Sequence, residues 1–279
     1  MKKIIALILV MSCFVLTLAG CGSKDSASEN DNVLRVGMEC AYAPYNWTQS
    51  DDSNGAVPIA DSSDYAYGYD VMMAKYLAEE MGMELEIVRL EWAALIPALQ
   101  SGTIDCVIAG QSITAERLTS VDFTTPYYYA SIVALTTNDS PYANATSLAD
   151  LKGATCTSQL STVWYDECLP QIEDANILAA QESAPSMLVA LDSGAVNLVV
   201  TDMPTAMAAV SVYDNMKILD LASSGNDFEV SDEEINIGIS VKKGNSELLD
   251  KLNAGLAKLT TADFTDWMDE AISVQPLSN

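Results

Sequence analysis

Leu34-Arg35-Val36-Gly37-Met38 is an apolar run that stops at Glu39, and Cys106-Val107-Ile108-Ala109 stops in the same way at Gly110-Gln111-Ser112. A third run, Val196 to Val200, ends at Thr201-Asp202. Short apolar runs with abrupt polar ends read as strands buried on both faces of a parallel sheet, each followed by a loop and a helix. Helical spacing fills the intervals. Asp70 is placed to N-cap a helix whose Val71, Ala74, Ala78 and Met81 share one face and which Gly82 ends. Leu95, Ile96 and Leu99 give a second helix, which tolerates Pro97 in its first turn and stops at Gly102. Leu248, Leu252, Leu256 and Leu259 recur at helical intervals near the end.

The order is therefore βαβαβ, a polar loop, βαβαβ again and a helical tail. It predicts an α/β protein of two lobes, each a mostly parallel sheet flanked by helices and each of roughly 100 residues. Ligands of open α/β sheets sit beyond the carboxyl ends of the strands. Glu39, Gly110 to Ser112, Gln159 to Thr162 and Asp202 all occupy that place. Residues 48–67 are too long and polar for an ordinary βα connection, and read as a surface flap or as a hairpin around Val57-Pro58-Ile59.

The beginning of the chain reads as a targeting segment. Lys2 and Lys3 precede an apolar stretch from Ile4 to Leu18, shorter than the ~20 residues of a spanning helix, so residues 1–20 read as a signal peptide. Leu18-Ala19-Gly20-Cys21 resembles a bacterial lipobox, which makes Cys21 the lipidated residue; the alternative is an uncleaved anchor with an ordinary Cys21. Residues 21–32 are small and polar, as a flexible tether is. With Lys2 and Lys3 removed, the formal charge of −26 becomes −28, which excludes nucleic acid as a partner. The absence of histidine excludes His-based metal sites and Ser-His or Cys-His catalysis. Four further cysteines, Cys40, Cys106, Cys156 and Cys168, allow three pairings. Cys156, three residues before the turn at Gln159, and Cys168, six past Thr162 on a returning helix, are expected at one level and so as a disulfide.

Several stretches carry a family resemblance in order along the chain. Leu34-Arg35-Val36-Gly37 with Tyr42-Ala43-Pro44-Tyr45, and Gly68-Tyr69-Asp70-Val71, come first. Leu95-Ile96-Pro97-Ala98-Leu99-Gln100-Ser101-Gly102 and Ala109-Gly110-Gln111-Ser112-Ile113-Thr114-Ala115-Glu116-Arg117 are the most specific, and Val121-Asp122-Phe123-Thr124-Thr125-Pro126-Tyr127-Tyr128 follows. From Val33 to about Trp267 the chain resembles the amino-acid-binding family of periplasmic solute-binding proteins, which includes glutamine, histidine and lysine/arginine/ornithine receptors. Met72, Gln111 and the insertion after Trp47 depart from its usual pattern.

The resemblance implies the periplasmic binding protein fold, with lobe 1 from 33–131 plus 236–279, lobe 2 from 132–235, and hinge strands near Ser131 to Ala134 and Glu234 to Asn236. It implies a monomeric lipoprotein receptor outside the cell membrane that hands a free amino acid to the permease subunits of an ABC transporter. No cofactor, metal or catalytic residue is expected.

In the implied site, Arg117 and the Ser112 N–H take the ligand carboxylate, while the Gly110 carbonyl and Ser112 hydroxyl take the ammonium. Asp202 receives the ammonium from the other lobe, Thr162 and Gln159 line that jaw, and Tyr42 and Trp92 sandwich the side chain. Each has a plainer alternative. Arg117 could pair with Glu116 or Asp122, Thr162 and Asp202 could be simple helix caps, and Trp92 could be core. Glu39 favours a polar ligand, arginine or lysine ahead of glutamine, unless it only binds backbone of the inserted loop. Cyclohexadienyl dehydratases share this architecture and form the rival class, with Glu39 as a general acid.

Overall fold

The structure is a computed structural model describing residues 32–231 and 235–276. The expected signal peptide, Cys21, nearly all of the tether and Glu234 lie outside the described residues. No helix among the described residues is long and apolar enough to cross a membrane.

Two five-stranded sheets organise the chain. The first runs Glu84–Arg89, Val33–Met38, Cys106–Val107, Ser240–Lys242, Val121–Phe123. The second runs Asn176–Ile177, Thr155–Thr157, Leu198–Asp202, Ile132–Thr137, Met216–Leu219. In each sheet one strand is reversed: Ser240–Lys242 in the first and Ile132–Thr137 in the second pair antiparallel with both neighbours. These are the two strands that arrive from the other sheet. A chain crossing over enters at the carboxyl ends of its new neighbours and must run against them, so those ends face one another. The crossings are joined by a short antiparallel ladder, Tyr128–Tyr129 with Asn236–Ile237.

Apolar burial fixes this arrangement. Leu34, Val36 and Met38 are fully buried in the first strand, as are Leu198, Val199 and Val200 in the second sheet. Helix Tyr69–Met81 buries Val71, Ala74 and Ala78 as expected and ends at Gly82 in the left-handed conformation. Its N-cap, however, is Gly68 and not Asp70. With φ of 125° and the Tyr45 carbonyl only 2.4 Å from where a Cβ would stand, Gly68 admits no side chain. Asp70 falls inside the first turn and points into the protein. Helix Leu95–Ser101 holds Pro97 in its first turn and stops at Gly102. Leu252 and Leu256 are buried on helix Ser246–Leu256, but Leu259 lies past its end, before helix Thr261–Val274.

The inserted region is a hairpin. Val57–Pro58 and Tyr65–Tyr67 join Ala41–Tyr42 and Asn46–Gln49 in a small antiparallel sheet, which a bridge from Ile59 to Ile87 docks on the edge of the first sheet.

Two expectations fail on one element. The segment after Thr162 is a π-helical turn, Trp164–Cys168, followed by a 3-10 turn, Leu169–Gln171, and not an α-helix. The α-helical rise that set Cys168 level with Cys156 does not apply, and the two buried cysteines are not joined in a disulfide.

Candidate functional site

Tyr42, Trp92, Gly110, Ser112, Arg117, Gln159 and Thr162, seven of the residues singled out in the sequence, line one small cavity of about 10 Å³ with Val163 and Trp164. The first five follow strands of the first sheet, the rest a strand of the second. Glu39 and Asp202 do not line it but are bonded to residues that do. The space admits about one water, so side chains must part to admit anything larger.

Arg117 is held for its task by local structure. Thr114 caps the short helix Ala115–Leu118 by accepting from the Arg117 N–H, which turns the side chain inward. One guanidinium nitrogen donates to the Ser112 carbonyl (2.8 Å), another to the Ser161 carbonyl (2.9 Å), so Arg117 ties the two halves together. It also lies 5.2 Å over the Trp92 ring. It does not pair with Asp122, which binds Lys243 and the Gly244 N–H. Desolvation lowers its pKa to about 10, against the nearby charges of Glu116 and Asp166. Trp92, only half-buried, packs against the core and carries the Arg117 guanidinium on its ring.

Three buried carboxylates surround the cavity. Glu39 ends the first strand; burial raises its pKa to about 7, the Gln159 amide bonding it at 3.3 Å opposes this, and Glu91 adds to it. It thus meets the second sheet, not the inserted loop. Asp202 closes strand Leu198–Asp202. One oxygen accepts the Thr205 N–H (2.8 Å) and caps helix Met203–Val212; the other accepts the Tyr42 hydroxyl in a short bond across the cleft. Burial raises its pKa as well. Thr162 donates to the Gln159 carbonyl (2.7 Å), while its own carbonyl accepts the Tyr165 and Asp166 N–H groups and its hydroxyl the Tyr165 N–H, so it opens the π-helical turn as a cap.

The third acid, Asp70, was not expected at the site. It accepts from Asn46 Nδ2 (2.8 Å) and from the Tyr127 hydroxyl (2.7 Å), and burial raises its pKa to about 7. Asn46 in turn accepts the Cys40 N–H, and the Tyr127 oxygen accepts the Gly110 N–H. One carboxylate therefore braces both loops of the first sheet. Its sequence signal was the Gly68-Tyr69-Asp70 motif. Trp164, two residues past Thr162 and tilted against Tyr42 at 6.3 Å, was also missed.

A cleft between two α/β lobes, walled by aromatic rings and carrying fixed charges of both signs, defines a solute receptor. The chain belongs to the bacterial extracellular solute-binding proteins, family 3, whose profile matches residues 34–267. Membership sets its work outside the cytoplasm. It is 35% identical over 164 residues to the arginine-binding extracellular protein ArtP of Bacillus subtilis (strain 168), covering 58% of each chain. An ancestral arginine-binding protein solved with arginine superposes with a TM-score of 0.68 at 32% identity, over 86% of this chain and 97% of that one. The ancestral amino-acid-binding protein AncCDT-1, a precursor of cyclohexadienyl dehydratase, superposes at 0.69 with 29% identity, over 86% and 94%.

Proposed function

We propose that this chain is the amino-acid receptor of an ABC importer, capturing a polar and preferably cationic free amino acid for its permease subunits. The observation that carries this reading is one inward guanidinium, Arg117, on a small cavity whose lining residues Gln159 and Tyr42 are bonded to the buried acids Glu39 and Asp202. A free amino acid carries a carboxylate and an ammonium on one carbon, and needs opposite charges a few ångströms apart. Arg117 and the Ser112 N–H take the carboxylate. Asp202, the Gly110 carbonyl and the Ser112 hydroxyl take the ammonium. Gln159 and Thr162 complete the second jaw, and Tyr42 and Trp92 hold the side chain. Glu39 takes a distal cation. Buried as it is, that carboxylate gains most from a positive partner.

In this reading the lobes are 33–131 with 236–279, and 132–235, and the monomer is tethered to the membrane through lipid on Cys21. Two acyl chains suffice for stable anchoring where one does not. A Cys21→Ala protein is expected in the soluble fraction with a changed mature mass.

The enzymatic alternative draws on Glu39, since a carboxyl titrating near 7 suits a general acid. No second catalytic group accompanies it among the described residues. A thermal-shift screen of the free amino acids, with prephenate and arogenate turnover followed by absorbance, separates the readings. Stabilisation by an amino acid without turnover supports the receptor; turnover sinks it.

A further inference from the structure

A chamber of about 500 Å³ adjoins the small cavity, and Trp92, Arg117, Thr162 and Val163 line both, so they form the passage between them. The chamber is in the range of about 300–1,000 Å³ usual for ligand pockets. Arg117 is the single cation on its wall among the described residues. Two bonds occupy two of the five guanidinium N–H groups, so donors remain. Beside it, Gln111 is 2% exposed; its Oε1 accepts from Ser240 (2.9 Å), and its amide nitrogen lacks a partner among the described residues. At the mouth stand three exposed acids. Glu116 belongs to the first sheet's side, Asp166 and Glu167 to the second's. Burial and then the neighbouring Glu116 charge raise the Asp166 pKa, with Arg117 opposing, so a cation beside Asp166 is favoured.

The geometry points to an outer capture site. We propose that a cationic amino acid lodges in this chamber first, its carboxylate towards Arg117 and Gln111 and its positive groups among Glu116, Asp166 and Glu167. It then moves past Trp92 into the inner cavity. This rests on the amino-acid reading above and adds an entry step to it. Carboxylates grouped at a cleft mouth raise the local concentration of cations and hence the association rate, an effect that salt suppresses.

The test is stopped-flow tryptophan fluorescence, because Trp92 stands in the passage. The unaltered protein and the triple variant Glu116→Gln, Asp166→Asn, Glu167→Gln are mixed with arginine or glutamine at low and high salt. The arginine association rate at low salt is expected to fall about tenfold in the variant and to lose its salt dependence. The glutamine rate should fall much less. An unchanged arginine rate overturns the capture site, and so does equal slowing of both ligands, which marks a structural defect rather than lost steering. If the unaltered protein binds neither, the amino-acid reading falls and the capture site with it.

Discussion

The two faces of the cleft are built differently. On the first sheet, the loops after Glu39 and after Ala109 are braced from below by Asp70, through Asn46 and Tyr127, in a buried and fully bonded network. On the second sheet, Gln159 to Trp164 is held by a single bridge from Gln159 to Gln181, a Thr162 turn and Ser161 in the left-handed conformation at φ 57°. A satisfied polar network in a low-dielectric interior sets positions rigidly. A turn held by backbone adapts more readily. The comparison assigns recognition geometry to the first face and closure to the second, with Arg117, Tyr42 and Gln159 making the bonds between them.

The largest expected effect comes from cutting the fixed charge of the first face. Arg117→Ala should weaken amino-acid binding by about 3 kcal/mol, roughly 100-fold in Kd, because a ligand carboxylate is left buried without its partner. Calorimetric titration checks this, and near-unaltered affinity would remove Arg117 from the site. Next comes the contrast in stability. Asp70→Ala leaves the Asn46 amide and the Tyr127 hydroxyl without an acceptor and should cost about 2–3 kcal/mol, whereas Gln159→Ala takes only one long donor from Glu39 and should cost about 1 kcal/mol. Urea unfolding of both variants reads the difference; equal losses would erase the distinction between the faces. Gly110→Ala is expected to be smaller. Gly110 has φ of 60°, and a Cβ there stands 2.6 Å from the Tyr42 ring, which is bonded to Asp202. A left-handed alanine costs about 1–2 kcal/mol, and the displaced ring should lower ligand affinity about tenfold in the same titration.

The smallest effect is a pH dependence. Glu39 and Asp70 have folded pKa values near 7, above the ordinary 4.5 and 3.8. The folded protein therefore binds protons more tightly than the unfolded chain between those limits. Their contribution to stability is full below the ordinary values and is lost as the pH rises through 7, on the order of 1 kcal/mol after local relaxation. The melting temperature of the ligand-free protein should fall from about pH 5 to about pH 8, and less so in Glu39→Gln. A flat profile would mean that Glu39 is well solvated.

Much of this was legible because burial has a period. Apolar runs that stop at a polar residue mark where a strand leaves the core, so Glu39, Gly110 and Asp202 could be set at strand ends without coordinates. Gly82 and Gly102 were readable as helix stops because a left-handed residue is needed there. What escaped depended on contacts distant in sequence. Asp70 looks like a helix cap, and only Asn46 and Tyr127, 24 and 57 residues away, turn it into a brace. The π turn at Trp164–Cys168 has no periodic signature in five residues, so Trp164 and the level of Cys168 were misjudged. The hairpin of residues 57–67 is indistinguishable from a flap in the sequence because its strands are two and three residues long.

One measurement bears on the central claim most directly: calorimetric titration of the purified ligand-free protein with arginine, lysine, glutamine and glutamate. The account predicts saturable one-to-one binding of a cationic amino acid at micromolar Kd or tighter, about −8 kcal/mol, with glutamate rejected by Glu39. Absence of heat with all four amino acids, or a preference for glutamate, would contradict it.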